Sequence, residues 1–196
     1  MYNYDFSYKE VLKILDKYKN GKSFILDEKE DSGKIKLNIN SNNNLFAISL
    51  SHKNSISVFK HNKVADWIVL EFLDDSCQNI NLHLFELKRT ITDSSWQRIK
   101  EQFKGAYEHS FLLKGLFNYK INSVICYSAF IYDKLKLQNT PNPVSLRQSS
   151  GNNKKSSNLD WNNETVRFYN NKIQYIKHKK ISLILDGTTG KGSYTI

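Results

Sequence analysis

The sequence predicts an α/β or α+β fold, with a mixed central β-sheet flanked by helices. Its predicted elements run helix, strands, helix, strand and late strands, an order that sets helices against a sheet of mixed direction. "INSVICYSAFIY" (121–132) is apolar on both faces, as a central strand under helices should be. The chain has 196 residues with 11 Phe, 11 Tyr and 3 Trp, enough to fill a core without staples. A single domain over 1–196 is therefore expected, its core at about 6–133 and a basic loop with late strands over 134–196.

The first helix spans residues 6–19, where Val11, Leu12, Ile14, Leu15 and Tyr18 recur at helical spacing until "KNGK" ends the run. After the polar turn "DEKEDSG" come two strands, "KIKLNIN" and "LFAISLS", and "SISVFK" as a candidate third. "ADWIVLEFL" and "INLHLFELK" follow as a strand pair around the turn "DDSCQN". "DSSWQRIKEQFKGAYEHSFLLKGL" reads as a long helix with Asp93 or Ser94 as N-cap. Trp96, Ile99, Phe103, Ala106, Tyr107 and Phe111 make its apolar stripe. From Lys134 to about Asn163 the chain is polar and reads as a loop. "TVRFYN", "KIQYIK" and "ISLILD" close it as short strands. The glycine-rich end "GTTGKGSYTI" lacks the spacing and the following helix of a phosphate-binding loop, so it reads as a flexible tail.

No apolar run approaches the roughly 18 to 20 residues of a membrane span. The N-terminus has no apolar signal core, and Cys77 and Cys126 have no metal-site spacing. Two free thiols in a cytoplasmic protein, with no membrane partner, are expected. The net charge of +10 is unevenly placed: from Lys134 onward 11 Lys and Arg stand against 3 acids, so +8 lies in the last third. Such a distribution suits a polyanionic partner, and nucleic acid is the commonest. Arg147, Lys154, Lys155, Arg167 and Lys177 are the candidate phosphate contacts. Trp161, Phe168 and Tyr169 interleave with them, either to stack on unpaired bases or to fill the core. A biased, lysine- and asparagine-rich composition is the alternative explanation of the charge.

Chemistry concentrates in "LHLFELKRT" (82–90), where a strand's apolar face ends in Glu86 and Lys88. Alternation has period two, so both share the side of Leu82 and Leu84. If the turn centres on Ser76, Ile68 faces Leu84, Leu70 faces Leu82, and Asp66 faces Glu86. Directly facing side chains have Cβ atoms about 4.5–5.5 Å apart, so two carboxylates would repel unless a cation lay between them. Hard oxygen ligands on a rigid scaffold suit Mg²⁺, with waters and a substrate phosphate completing its shell. Lys88 beside such an ion could orient or deprotonate an attacking water, the requirements of metal-assisted phosphodiester hydrolysis. An exposed ion pair at a strand end, contributing about 0–1 kcal/mol, is the bland reading of Glu86 and Lys88; Asp66 arriving at the same spot argues against it. Glu71 and His83 point away from this spot, which makes Glu71 a surface or strand-end residue, and no histidine mechanism is supported.

The pattern of Asp66, then Glu86 and Lys88 on a strand followed by a long helix, resembles the PD-(D/E)XK nuclease superfamily. That resemblance covers roughly residues 6–133 and implies a restriction-endonuclease-like core. It gives Asp66 and Glu86 the role of metal ligands, with Mg²⁺ or Mn²⁺ as cofactor, and Lys88 that of the site lysine. The family commonly adds an acid from its first helix, for which Glu10 is best placed, and a glutamine from the next helix, here Gln102 or Gln97. An exposed acid early in a helix is also favoured by the dipole alone. Ala65 stands where the family often has proline, and Gln102 and Tyr107 are five apart rather than four, so no branch is assigned. The expectation is a Mg²⁺-dependent endonuclease, acting on DNA rather than RNA, in defence or restriction, as a homodimer or with a partner protein. The alternative is a catalytically silent nucleic-acid- or partner-binding subunit on the same fold.

Overall fold

The structure, a computed structural model, describes residues 18–30, 33–50, 63–74, 78–135, 159–170 and 172–196. Strands β1 (Tyr18–Glu30), β2 (Gly33–Ser49), β3 (Trp67–Phe72) and β4 (Asn79–Ile91) precede helix α1 (Asp93–Phe117). Strands β5 (Lys120–Asp133), β6 (Thr165–Asn170), β7 (Lys172–Ser182), β8 (Ile184–Asp186) and β9 (Thr189–Thr195) follow it. All nine join one mixed sheet in the order β6-β7-β5-β4-β3-β2-β9-β8, with β1 also paired to β2. The architecture is α+β, dominated by this sheet.

Strands β2, β3 and β4 form an antiparallel meander, and helix α1 carries the chain back so that β5 runs parallel to β4. The observed β3–β4 register sets Ile68 opposite Leu84 and Leu70 opposite Leu82, as a turn centred on Ser76 predicts. Helix α1 starts one residue earlier than expected. Thr92 is its N-cap, accepting from the Ser95 N–H, while Ser95 Oγ accepts from the Thr92 N–H at 2.7 Å. Asn118, in the left-handed region at φ 51°, closes it. Trp96, Ile99, Phe103 and Ala106 are buried against Ile68, Leu82, Leu84 and Phe130 of the sheet. Phe111 leaves the predicted stripe and is largely exposed, and Leu113 takes its place in the core.

The opposite face of the sheet is covered by strands. Val69, Phe85, Leu87, Tyr127 and Ala129 pack with Leu26, Leu37, Ile39 and Leu183 in a second core. Strand β2 makes this possible because it is long. Its second half (44–49) pairs with β3, while its first half (34–40) pairs with β9. The changeover falls in the polar run around Asn40–Asn44, and β1 lies antiparallel along most of the other side. Trp67 Nε1 donates to the Asp27 carbonyl at 3.3 Å, tying the β1 layer over β3.

Three expectations are corrected here. "KNGK" does not end a helix; it lies in β1, with Gly21 at φ 142° beside a register shift. The two strands expected within 34–51 are one, and the tail is strand β9, parallel to β2. Gly190 and Gly192 lie so close to Ile131 and Leu183 that a Cβ on either would come within 2.7 Å and 2.5 Å of those side chains. The predicted first helix up to residue 17, the strand at 55–60, Cys77 and residues 136–158 lie outside the described residues.

Candidate active site

The site sits where the β3–β4 ladder stops, near the carboxyl end of β4. Backbone pairing ends at Trp67 and Phe85. Beyond that pair, side chains bridge the strands. The Asp66 N–H donates to Glu86 Oε2 at 3.2 Å, and the Leu87 N–H donates to Asp66 Oδ2 at 2.7 Å. On its other side the Asp66 carbonyl accepts from the Leu50 N–H at 2.9 Å. The two carboxyl groups are thus wedged between strands that would otherwise close on each other.

Burial then sets the electrostatics. Glu86 is fully buried and Asp66 is 9% exposed, while Lys88 brings its Nζ to 3.0 Å from Glu86 Oε1. Apart from that ion pair, Glu86 Oε1 has no partner. Loss of water, followed by the neighbouring charge of Asp66, pushes the Glu86 pKa up to about 8, with Lys88 pulling the other way. Without a further cation Glu86 is mostly protonated at neutral pH. A buried carboxyl with an oxygen that only a lysine engages, next to a second carboxylate, is a donor set that fits a hard divalent ion completed by water and phosphate. Among the described residues, no group of three His, Cys, Asp or Glu side chains is placed to hold a metal ion.

Helix α1 holds the segment that carries Asp66. Gln102 Nε2 donates to the Val64 carbonyl at 3.2 Å, and the Gln102 backbone carbonyl accepts from the Ala65 N–H at 3.0 Å. Lys63 pairs with Glu101 alongside. Gly105 lets the helix approach, since a Cβ there would fall 2.2 Å from the Lys63 carbonyl oxygen. Gln102 is therefore a positioning residue in this structure, and Gln97 is exposed.

Asp66, Glu86 and Lys88 come together. Of the other candidates, Glu10, Arg147, Lys154 and Lys155 lie outside the described residues. Arg167 is ion-paired to buried Asp160 at 3.1 Å and lies over the Tyr175 ring. Lys177 is exposed but faces Ile125 in register, on the side of the sheet away from Glu86. Trp161 and Phe168 belong to the core. Sequence reasoning missed Lys180, which faces Ser128 on β5 while Ser128 faces Glu86 on β4. The alternation in "KHKK" carries that signal, but only once the β5–β7 pairing is known.

Also missed is a polar cluster on the opposite face. Glu71 is buried rather than at the surface, accepting from Ser41 Oγ, Asn43 Nδ2 and Asn81 Nδ2 at 2.8–2.9 Å. His83 bridges it to Tyr127, with its Nε2 3.3 Å from Glu71 and its Nδ1 3.0 Å from the Tyr127 hydroxyl. His83 foremost, then the amides and hydroxyl, hold the Glu71 carboxyl well below the usual range against the effect of burial. Its acceptors are satisfied, which suits a structural network. The predicted hairpin register already placed Glu71 and His83 diagonally across one face.

Compared with protein-family models, with curated proteins and with solved structures, the chain finds no match in any of the three.

Proposed function

We propose that the protein is a metal-dependent nuclease of the PD-(D/E)XK kind, hydrolysing phosphodiester bonds of nucleic acid, DNA in preference to RNA. One observation carries this reading: two carboxyl groups and an ammonium meet at a splayed strand end, with Glu86 buried at an elevated pKa. The order of a β2–β4 meander, crossover helix and parallel β5 supports a restriction-endonuclease-like core.

Asp66 and Glu86 would hold Mg²⁺ or Mn²⁺, and Glu86 would give up its proton on doing so. When bound, such an ion withdraws charge from the phosphate and makes water more acidic. The Lys88 ammonium would orient the attacking water and steady the developing negative charge on phosphate. The water oxygen would form the new bond to phosphorus and release one proton to solvent, while the ester oxygen on the far side would leave with the bonding pair and take up a proton from solvent. Gln102 keeps Asp66 in place through Val64 and Ala65. The +8 carried from Lys134 onward supports a polyanionic substrate.

A second reading is a catalytically silent binding subunit. It is favoured by the absence, among the described residues, of a third ligating side chain, and by the engagement of Asp66 Oδ2 with a backbone N–H. Cleavage of linear, circular and single-stranded DNA and of RNA, in Mg²⁺, Mn²⁺ or EDTA, separates the two. Metal-dependent cutting that Asp66→Ala and Lys88→Ala each reduce at least about a hundredfold supports the nuclease. Binding without cutting under every metal supports the silent subunit.

A further inference from the structure

Helix α1 walls the candidate site on one side, and two sets of contacts fix its height against that site. The first involves the segment 63–66. A Cβ on Gly105 would meet the Lys63 carbonyl, while Gln102 binds Val64 and Ala65, so the segment climbs toward the helix N-terminus as it nears Asp66. One further turn of that climb leads to Arg98, four residues before Gln102 and on the same side of α1. The second is the direct link from β4 to α1 through Thr92. Lys88 lies three residues before Ile91, about 10 Å back along the strand. Arg98 lies six residues after Thr92, about 9 Å along the helix, which runs back across the same face of the sheet. Lys88 and Arg98 therefore stand at one height, the lysine on the floor of the site and the arginine on its wall.

We propose that Arg98 binds a backbone phosphate of the nucleic-acid substrate, next to the phosphate held at Asp66, Glu86 and Lys88. The inference rests on the nuclease reading for the identity of the polymer. It rests on the helix for the contact. Three cations lie between Asp93 and Gly105. Lys100 pairs with Asp160 at 3.4 Å, and Lys104 approaches Glu108 at 3.9 Å. Arg98 is exposed and has no acidic partner among the described residues, so its donors stand ready for an anion from outside the chain. A guanidinium presents a planar fork that takes two phosphate oxygens at once, whereas the Lys88 ammonium acts as a point charge. Spacing favours a polymer phosphate over an isolated anion. Each strand of a duplex carries one phosphate for about every 3.4 Å of axis, so fixing one at Lys88 brings the next to the adjoining wall. Lys88 thus serves the reacting group, and Arg98 sets the path of the chain beside it.

The test uses the full-length protein in EDTA, where cutting is suppressed. Fluorescence anisotropy would follow a labelled DNA duplex, the matching single strand and the same sequence as RNA, each over a series of salt concentrations. For whichever binds tightest, Arg98→Gln should weaken binding at least about threefold at low salt and lower the slope of log affinity against log salt by about one. Arg98→Lys keeps the charge but not the fork, so it should restore the slope and part of the affinity. Lys104→Gln removes the same charge from another side of α1 and should do neither. Melting temperatures of the three variants check folding. In Mg²⁺, Arg98→Gln should raise KM and leave kcat within about threefold. Folded Arg98→Gln that binds no worse than Lys104→Gln would overturn the proposal. So would wild type that binds none of the three polymers. The two readings fail separately. Metal-dependent cutting with binding that ignores Arg98 sinks the phosphate contact alone. Binding that depends on Arg98 in a wild type that cuts nothing keeps the contact and sinks the nuclease.

Discussion

Glu86 governs how the candidate site responds to pH. Its carboxyl has lost all water contact and sits beside Asp66, which raises it from 4.5 to about 8. Between those values the folded chain keeps a proton that the unfolded chain has lost, so the stability this group contributes falls as pH rises. Glu86→Gln keeps the neutral shape and removes the titration. Thermal melts should show the variant more stable than wild type at pH 8, with the gap shrinking toward pH 5; a gap independent of pH contradicts this. Added Mg²⁺ should raise the melting temperature of wild type more at pH 8 than at pH 6, because the ion must displace the proton, and should leave Glu86→Gln nearly unmoved. Lys88 was legible as a partner of Glu86 from period-two alternation, and Asp66 from the hairpin register with its turn centred on Ser76. The Glu71–His83 network was not recognised, because a strand-end carboxylate reads as solvated until the layer that buries it is known.

At the scale of elements, the site depends on how closely α1 approaches residues 63–66. Gly→Ala inside a helix normally adds up to about 1 kcal/mol. At Gly105 the new methyl would meet the Lys63 carbonyl oxygen at 2.2 Å, so the segment bearing Asp66 must move. Gly105→Ala should therefore lower both the melting temperature and metal-dependent cleavage. Gly115→Ala, with nothing within 4 Å of its Cβ, should raise the melting temperature and leave cleavage intact. The β3–β4 hairpin and α1 were legible because their apolar periodicities are strong and uninterrupted. Strand β1 was not, because "SFILDEKE" pairs as a strand yet ends in charges that resemble a turn. Strand β9 was hidden by its glycines. Glycine reads as flexibility, whereas here Gly190 and Gly192 admit the close approach of Ile131 and Leu183.

The whole molecule joins two cores across one sheet, and its pH stability reflects groups in both. His178, packed among Trp96, Trp161 and Phe103, is kept neutral by burial and then by the Lys180 charge, with its pKa down at about 3. Below 6.5 the unfolded chain takes up a proton at this histidine and the folded chain does not, so stability falls with acid. Glu71, depressed from 4.5, adds to the loss below that value. Between 4.5 and 6.5 the opposing slopes of His178 and Glu86 offset each other. A melting-temperature profile should thus be flat across about pH 4.5–6.5 and fall on both sides, losing its alkaline arm in Glu86→Gln. No helix among the described residues is long and apolar enough to cross a membrane. The charge asymmetry was legible from composition, but which lysines face the site was not, since Lys177 and Lys180 are separated by strand register alone. The most direct test of the whole account is the rate of DNA cleavage in Mg²⁺ at pH 8 by wild type and by Glu86→Gln, each against EDTA. Cutting by wild type that needs Mg²⁺, reduced at least about a hundredfold in a Glu86→Gln protein that melts no lower, is the predicted result. Equal rates in the two proteins, or a wild-type rate unchanged by EDTA, would contradict it.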